Sequence, residues 1–278
     1  MRRTSNEEGD ISMTMQHLAR PRALVTGAST GLGAVFAEAL ARQQYELTIV
    51  ARNQARLVAL AERLQHHYGV AVQVMAADLT HADALRQIET WVNTASCLDL
   101  LVNNAGFGTI GPFAQLDVNE EEAEICLNVV ALMRLTRAAL PGMLARGHGA
   151  IINVSSMAAF MPGPYDATYA ATKAFVNSFT EALHEELRGT GVYVQALCPG
   201  FTPTEFQQRA GVKSANIPAY AWTTPEAVVE ASLQALRHGQ LLCVPGLLNR
   251  CLALLVGAMP RRLVRRVTGV LARRVLEQ

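Results

Sequence analysis

The segment that most constrains the fold is a short apolar run that leads through a glycine-rich turn into a helix. Ala23-Leu24-Val25-Thr26 has the pattern of a buried strand, and G-A-S-T-G-L-G follows at residues 27–33 before an alanine-rich helical pattern that extends through residue 42. Three glycines without side chains allow a diphosphate to approach the backbone, and a helix amino terminus attracts anions. The spacing differs from G-x-G-x-x-G and from the P-loop. It predicts a diphosphate site at the start of an α/β domain, the alternative being a glycine-rich turn without a ligand.

Strand and helix patterns alternate along the rest of the chain. Apolar runs predict strands at 23–26, 45–50, 70–75, 98–102, 150–155, 192–197 and 240–244, and helical patterns lie near 31–43, 53–66, 81–95, 120–146, 168–188 and 225–238. This rhythm predicts an α/β fold, a Rossmann-like, doubly wound parallel sheet of about seven strands with helices on both faces. One domain over 21–246 accounts for all of these elements. A polar extension over 1–20, which we expect to be disordered, precedes the domain, and a tail over 247–278 follows it.

Tyr169 and Lys173 lie four residues apart in Y-A-A-T-K, which places both side chains on one face of a helix. A fixed ammonium lowers the pKa of a nearby phenol, and such a tyrosine can exchange a proton with a hydroxyl or carbonyl oxygen. Ser156 ends the apolar run that begins at Ala150, and parallel sheets bind ligands at the carboxyl ends of their strands. These three residues predict a catalytic site, although a tyrosine and a lysine one turn apart on a surface would also be ordinary.

With these pieces the chain resembles the short-chain dehydrogenase/reductase family, of the short single-domain type. The matching residues stand in the family's order and spacing over about residues 22–245. They are Thr26-Gly27-x-x-x-Gly31-x-Gly33, Asp78, Asn103-Asn104-Ala105-Gly106, Asn128, Ser156, Tyr169 with Lys173, and Pro199-Gly200-x-x-x-Thr204. The C-terminal tail lies outside the resemblance.

The resemblance implies an oxidoreductase that acts on CH–OH groups and is most similar to 3-oxoacyl-thioester and ketone reductases. Its implied catalytic residues are Asn128, Ser156, Tyr169 and Lys173. Ser156 and Tyr169 would hold the carbonyl oxygen, Lys173 would tune Tyr169, and Asn128 would replenish the proton through water. The expected cofactor-binding residues are Gly27, Ser29, Thr30, Gly31, Leu32, Gly33, Arg52, Asp78, Leu79, Asn104, Ala105, Gly106, Tyr169, Lys173, Pro199, Gly200 and Thr204. Pairing through the helices at 120–146 and 168–188 would give a homodimer or homotetramer.

The end of the second strand indicates which nicotinamide cofactor is used. Ala51 stands where NAD-binding relatives carry an acidic residue for the ribose 2′-hydroxyl, and Arg52 follows at once with Arg56 one turn later. A guanidinium pairs well with a 2′-phosphate. We therefore expect NADP(H) to be preferred over NAD(H), the alternative being that both arginines belong to a solvated helix start.

Three of the matching polar residues also have structural alternatives. Asp78 is expected near the adenine but could simply cap the helix that follows it. Asn103 could belong to a plain turn, and Asn128 could pin two helices by its amide instead of kinking its helix and holding a water.

Composition excludes several other classes of protein. The formal net charge of +1 does not favour nucleic acid as a partner, and no apolar run is long enough to span a bilayer. The five cysteines are odd in number and scattered, which favours a reducing, cytoplasmic location over a disulfide framework and predicts no metal site.

The tail from residue 247 is strongly basic. It carries Arg250, Arg261, Arg262, Arg265, Arg266, Arg273 and Arg274 with Glu277 as its single acid, which gives +6 in the tail against −5 in the rest. Apolar residues recur at 252, 255, 259, 263, 267, 270 and 271 on one helical face, broken at Pro260. Such a segment could lie on an anionic membrane as a peripheral contact, on its own domain or on a second subunit.

The segments expected to border the substrate are 107–113, 157–165 and 201–222. They are rich in Phe, Met, Pro and Tyr, which favours a small apolar carbonyl or alcohol as substrate, and the last of them could be a lid. Ordinary packing is the alternative for these aromatic residues. A non-catalytic NADP(H)-binding regulator or sensor on the same fold is the alternative function.

Overall fold

The computed structural model describes residues 20–95, 97–206 and 219–276. Almost all of the predicted 1–20 extension, much of the predicted 201–222 lid and the last two residues therefore lie outside the described part. Within it, seven parallel strands form one sheet in the order β3-β2-β1-β4-β5-β6-β7, as the sequence predicts. The strands are β1 Arg22–Thr26, β2 Glu46–Ala51, β3 Val72–Ala76, β4 Leu100–Asn103, β5 Gly149–Val154, β6 Val192–Leu197 and β7 Leu242–Cys243.

The helices of the described residues alternate with these strands. They are α1 Gly31–Arg42, α2 Gln54–Tyr68, α3 Ala82–Thr94, α4 Val118–Ile125, α5 Leu132–Arg146, α6 Ala167–Glu186, α7 Pro225–Arg237, α8 Leu247–Ala258 and α9 Arg261–Leu276. The strand order reverses direction between β1 and β4, which opens a crevice at the carboxyl edge of the sheet where such folds bind their ligands.

The core has two layers because successive side chains of each buried strand point to opposite faces of the sheet. Ala23 and Val25 of β1 pack on one face with Phe36 of α1, in a layer that also includes α2 and α7. Leu24 of the same strand packs on the other face with Leu135 of α5, in a layer shared with α3 and α6. Both faces are therefore covered, as the continuous apolar runs of the strands require.

Three strands differ from the predicted ones by two residues or more, and one of them is β4, which begins at Leu100 instead of 98. β3 begins at Val72 instead of 70, because Gly69 ends α2 in a left-handed conformation and the chain needs further residues to enter the sheet. β7 has only two residues in place of the predicted five, and they pair with Ala196 and Leu197 of β6. Pro245, which lacks a backbone donor, follows within two residues.

The predicted helix at 120–146 is interrupted around Asn128. A six-residue π-helical segment, Cys126–Ala131, joins α4 to α5, and both of its flanking residues keep right-handed helical angles. The resemblance implied a kink at Asn128, and the irregularity found there is this wider turn. Pro260 separates α8 from α9, as its position in the tail predicts, with Met259 extended before it.

Candidate active site

The glycine-rich turn leaves β1 and enters α1 with little room for side chains. Gly27 and Gly31 have φ values of +66° and +56°, which favour glycine. A Cβ on Gly33 would lie 2.3 Å from the Gly27 carbonyl oxygen. Thr30 occupies the N-cap position of α1, and its side chain makes no cap hydrogen bond. The turn therefore presents backbone and a helix amino terminus, the chemistry that holds a diphosphate.

Asn104 fastens this turn to the end of β4. Its Nδ2 donates to the carbonyl oxygens of Thr26 at 2.9 Å and Gly27 at 3.3 Å. The Thr26 hydroxyl accepts from the backbone nitrogens of Asn104 and Ala105, both at 3.0 Å. The N-N-A-G segment thus sits beside the glycine-rich turn at the strand-order reversal. Asn103 is the last residue of β4 and not part of a turn. Its Nδ2 donates to the side-chain oxygens of Thr136 and of Asn153 on β5, so this amide pins a neighbouring strand.

The structure brings Ser156, Tyr169 and Lys173 together. Ser156 follows β5 and is hydrogen-bonded to the Tyr169 phenol on α6. The Ser156 Oγ also accepts from the Ala158 backbone nitrogen at 3.1 Å, which orients it. Lys173 Nζ lies 5.5 Å from the centroid of the Tyr169 ring and donates to the Val154 carbonyl oxygen at 2.8 Å. Ser155, by contrast, is buried and donates to the Lys173 carbonyl oxygen, which is a structural contact.

The pKa of Tyr169 departs from the sequence prediction. We expected Lys173 to lower it, but the pKa of Tyr169 is raised well above 10. Burial is the main cause, and the nearby carboxyl groups of Asp166 and Glu124 add to it against the lowering effect of the Ser156 hydrogen bond. The lysine is itself buried, and desolvation lowers its pKa to about 8 against the opposing effect of Glu124. The prediction omitted the burial that both side chains share.

Asn128 lies in the π-helical segment and holds the loop after β4. Its Oδ1 accepts from the Phe107 backbone nitrogen at 3.1 Å, and its Nδ2 donates to the Phe107 carbonyl oxygen at 2.8 Å and the Thr172 Oγ1 at 3.1 Å. Gly106 passes close by, since a Cβ there would lie 2.8 Å from Asn128 Oδ1 and 3.5 Å from Lys173 Nζ. The amide therefore pins a loop and a helix, as the structural alternative proposed, and it does so beside Lys173.

The segment after β6 closes the site from a third side. Thr204 lies against the glycine-rich turn, 3.2 Å from the position of a Cβ on Gly31. The Phe206 ring packs on the Tyr169 ring at a centroid distance of 5.4 Å. Phe201 forms a parallel bridge with Trp222, which joins the two ends of the predicted lid, whose middle lies outside the described residues. At Gly200, a Cβ would lie 2.5 Å from Nδ2 of Asn249, so α8 reaches the site.

The ends of β2 and β3 carry the charged residues predicted to face the ribose. Arg52 is 67 % exposed, and its Nη1 lies 3.8 Å from Asp78 Oδ2. Arg56 instead donates to both carboxylate oxygens of Glu205 at 2.9 Å, which leaves Arg52 as the arginine available to a ligand.

Asp78 accepts hydrogen bonds from the backbone nitrogen and the hydroxyl of Thr80. Burial raises the pKa of Asp78, but these hydrogen bonds and the charge of Arg52 outweigh it and lower that pKa. The alternative that Asp78 caps the next helix is wrong, because α3 begins at Ala82 with His81 at its N-cap. Leu79 beside it is buried.

Comparison with known proteins agrees with this geometry. The family model described as short chain dehydrogenase matches residues 21–214. The chain belongs to the short-chain dehydrogenase family. It is therefore an NAD(P)-dependent oxidoreductase that acts on CH–OH groups, and the crevice described above is the place where this fold binds its nicotinamide cofactor.

Individual relatives cover most of the chain. A very-long-chain 3-oxoacyl-CoA reductase of Macaca fascicularis is 32% identical over 231 residues, which span 80% of this chain and 72% of the relative. A short-chain dehydrogenase from Sphingobium yanoikuyae solved in complex with NADPH is 37% identical, with a TM-score of 0.79 over 86% of this chain and 96% of that one. The bulky-bulky ketone specific alcohol dehydrogenase from Comamonas testosteroni is 32% identical, with a TM-score of 0.74 over 87% and 95% of the two chains.

Three residues at the site were not predicted from the sequence. Glu124 and Asp166 act on the pKa of Tyr169, and Asn249 packs at the border of the site. Phe206, which packs on Tyr169, lies in the 201–222 segment that was expected there. Glu124 stands in the acidic run E-E-E-A-E of residues 120–124, which has the pattern of a solvated helix start, so no local signal marked it as buried. Asp166 and Asn249 come from distant segments whose proximity no local pattern reveals.

Proposed function

We propose that this enzyme reduces an apolar ketone, such as a 3-oxoacyl thioester or a similarly bulky carbonyl compound, with NADPH. The observation that carries the proposal is the meeting of the Ser156 hydroxyl, the Tyr169 phenol and the Lys173 ammonium at the carboxyl edge of the sheet. This set supplies a hydrogen-bond donor, a proton donor and a cation around one oxygen atom.

The crevice fits a nicotinamide dinucleotide because its walls are backbone where a diphosphate would lie. Gly27, Gly31 and Gly33 would face the diphosphate, Asp78 and Leu79 the adenine, and Pro199, Gly200 and Thr204 the carboxamide. A bound NADPH supplies the hydride that the carbonyl carbon accepts. Ser156 and Tyr169 hold the carbonyl oxygen, and Tyr169 gives it a proton as it becomes an alcohol.

The Tyr169 phenol is the proton donor in the reductive direction, and it must be protonated when the carbonyl compound binds. An ordinary phenol meets this condition at neutral pH, and the raised pKa of Tyr169 leaves it so. After the transfer, the buried Lys173 ammonium and the Ser156 hydroxyl stabilise the phenolate. Asn128 stands beside Lys173 and holds the loop that borders the site, and a water between them would return the proton.

An apolar substrate is supported by the residues around this oxygen site. Phe206 packs on Tyr169, and Phe201 packs on Trp222 at a centroid distance of 5.8 Å. Ile110 and Phe113, in the loop after β4, are exposed although they are large and apolar. The names of the 3-oxoacyl-CoA reductase and of the bulky ketone dehydrogenase are consistent with a substrate of this kind.

The test is NADPH oxidation with medium- and long-chain 3-oxoacyl thioesters, a steroid ketone, an aromatic aldehyde and a diketone. In Tyr169→Phe we expect kcat to fall by about 100-fold or more with an unchanged Kd for NADPH, since proton transfer is lost. The matched control is Tyr193→Phe, on β6 and half exposed. Near-normal turnover in Tyr169→Phe would refute the proposal, and tight NADPH binding without turnover of any substrate would favour the sensor alternative.

NADPH is preferred over NADH in this proposal because Arg52 is exposed beside Asp78 and no acidic residue occupies position 51. The NADPH complex of the Sphingobium relative is consistent with that choice. Competition at equal concentrations of the two cofactors tests it, and equal use of NADH would contradict it.

We also propose that the enzyme pairs through α4, the π-helical segment and α6. An apolar groove of about 370 Å³ lies on these helices, with Ile125, Val129, Ala171 and Phe175 in its wall, and two of these side chains are more than a third exposed. Light scattering should give a dimer or tetramer for the wild type and a monomer for Phe175→Glu, with Val58→Glu on α2 as control. A monomeric wild type would exclude the pairing.

The tail is proposed to hold the enzyme on an anionic, cytoplasmic membrane surface. No helix in the described ranges is long and apolar enough to cross a bilayer. In α8 and α9 the apolar side chains Leu247, Leu252, Leu254, Leu255, Leu263, Val267 and Val270 are exposed. Arg262, Arg265 and Arg266 line a cleft of about 420 Å³, which suits a phosphate-bearing headgroup.

Vesicle flotation tests the membrane contact. The double variant Arg262→Ser/Arg266→Ser should bind phosphatidylserine-containing vesicles about 30-fold more weakly than the wild type, at about 1 kcal/mol for each basic residue near the surface. Arg86→Ser/Arg188→Ser, which removes two exposed arginines elsewhere, is the charge-matched control. Truncation after Gly246 is a poorer test because it also deletes Asn249, which packs against Gly200 at the border of the proposed active site. Equal binding by the two double variants would refute the contact.

A further inference from the structure

A cluster of three carboxyl groups lies next to the site, and its only effect described so far is on the pKa values of Tyr169 and Lys173. Glu121 and Glu124 project from α4, and Asp166 precedes α6. Glu121 is 6 % exposed and Glu124 is 0 % exposed, which is rare for a glutamate. The hydroxyls of Thr109 and Thr168 both donate to Glu121.

Glu124 is held on one side only. Its Oε2 accepts from the Thr109 backbone nitrogen at 3.0 Å and from the Thr109 hydroxyl at 3.1 Å. Its Oε1 is buried and has no hydrogen-bond partner within the described part of the chain. An ionised carboxylate would leave that oxygen desolvated and unpaired, whereas a protonated carboxyl would carry its proton there.

The surroundings of the cluster favour a retained proton near neutral pH. Burial raises the pKa of Glu124 to about 7, with the charge of Glu121 adding to the rise and the Thr109 hydrogen bonds and Lys173 opposing it. Burial, Glu124 and Glu121 likewise raise the pKa of Asp166 to about 7. The groups that face Glu124 are thus Glu121 on its own helix and Asp166, Tyr169 and Lys173 at or near α6.

The cluster adjoins the proton donor through one short loop. Thr109 donates hydrogen bonds to Glu124, and the residue before it, Gly108, lies against the Tyr169 ring. A Cβ added to Gly108 would lie 2.8 Å from Cδ2 of Tyr169. Glu124 also stands one turn before Asn128 on the same helix, and its charge raises the pKa of Lys173 against desolvation. Asp166 is only half-buried and can exchange protons with solvent.

We propose that Glu124 stores the proton that replaces the one Tyr169 gives up, with Asp166 as its connection to solvent. The inference rests on the proposed reduction. In each turnover the carbonyl carbon gains the hydride and its oxygen gains the Tyr169 proton. The Glu124 carboxyl then loses its proton toward the phenolate, by way of Lys173 or intervening water, and takes another from solvent through Asp166. Glu124 acts through Lys173 and Tyr169 and touches neither substrate nor cofactor, so it is a positioning residue.

The decisive experiment compares Glu124→Gln with Glu122→Gln, an exposed neighbour on the same helix. The wild-type kcat should fall as the pH rises through about 7, because Glu124 then loses the proton that it would pass to Tyr169. In Glu124→Gln that inflection should vanish and kcat at about pH 6 should be about tenfold lower, while Glu122→Gln matches the wild type. Asp166→Asn should move the inflection to lower pH, since a like charge near Glu124 is removed, and should lower kcat at about pH 6, since the connection to solvent is lost.

A second readout needs neither cofactor nor turnover. Infrared difference spectra of the full chain between about pH 6 and pH 8.5 should show the carbonyl stretch of a protonated carboxylic acid in the wild type and in Glu122→Gln, and less of it in Glu124→Gln. An unchanged band in Glu124→Gln overturns the proposal, as does a kcat that falls equally at every pH with the inflection intact. If no carbonyl compound is reduced by the wild type, the proposed function fails while the infrared result still decides where the proton is held.

Discussion

Gly33→Ala is the sharpest test of how closely the first turn of α1 is built against the cofactor crevice. A Cβ at Gly33 would lie 2.3 Å from the Gly27 carbonyl oxygen and 2.5 Å from Asn104 Nδ2. Both neighbours are held in place, because Asn104 Nδ2 bonds the Thr26 and Gly27 carbonyl oxygens. Relief therefore needs a backbone movement of about 1 Å, judged against ordinary carbon contacts of about 3.5 Å.

Two opposing effects set the magnitude. Alanine in a helix is favoured over glycine by about 1 kcal/mol, whereas overpacking of a tight site costs about 1–3 kcal/mol. We expect the free energy of unfolding to fall by about 1–2 kcal/mol, and the Kd for NADPH to rise about tenfold or more because the displaced backbone is the proposed diphosphate site.

The matched control is Gly142→Ala in α5. The nearest atom to its added Cβ is Arg146 Nη1 at 3.2 Å, and a shift of a few tenths of an ångström relieves this contact while Nη2 keeps its hydrogen bond to the Leu98 carbonyl oxygen. The same substitution should here stabilise the protein by up to about 1 kcal/mol. Urea unfolding followed by fluorescence, with NADPH calorimetry on each variant, measures both effects. A Gly33→Ala variant that is as stable as the Gly142→Ala variant and binds NADPH normally would refute the inference that Gly33 is too tightly packed for a side chain.

Three further substitutions test the charges and the buried amides. Arg52→Ser should weaken NADPH binding by about tenfold and leave NADH binding nearly unchanged, because only NADPH carries a 2′-phosphate. Calorimetry with both cofactors measures this, and equal losses of affinity for the two would contradict the role of Arg52. Glu124→Gln should raise the free energy of unfolding relative to wild type by up to about 3 kcal/mol above pH 7 and not below pH 4.5. The folded protein keeps the Glu124 proton up to about pH 7, whereas the unfolded carboxyl ionises near pH 4.5, so the wild type loses stability between these two values. Urea unfolding over a pH series measures the difference in free energy of unfolding between the two proteins. A difference that is the same at every pH would exclude a raised pKa of Glu124. Asn153→Ala should cost about 2 kcal/mol in urea unfolding because it removes hydrogen bonds to Asn103 and Thr180, and a loss below about 0.5 kcal/mol would contradict that.

The fold was predictable because its signals are local. The apolar runs of β1, β2, β5 and β6 are continuous, as strands buried on both faces must be, and they stand within one residue of their predicted ends. β7 was overpredicted because its length is set by pairing with β6 alone, and an apolar run cannot reveal where its partner ends.

The meeting of three side chains at the proposed site was predictable from the sequence, whereas the pKa of Tyr169 was not. Ser156, Tyr169 and Lys173 meet as their spacing indicates, since each occupies a defined place on a strand end or helix face. The direction of the Tyr169 pKa shift was wrong because it depends on burial and on Glu124, which is 45 positions away in the chain. Local spacing reports which groups are neighbours along one helix and says nothing of the solvent around them.

The π-helical segment at Cys126–Ala131 also bears on how the gene can change. Such a segment holds one residue more than the α-helix it replaces, and its wider turn takes up that residue so that the helix after it keeps its phase. Deletion of one codon here would restore a regular helix and leave Leu135, Thr136 and Met143 of α5, all buried, facing the sheet. Asn128 would instead lose its place against Phe107 and Thr172, so a single deletion could remove this amide contact without removing the packing of α5.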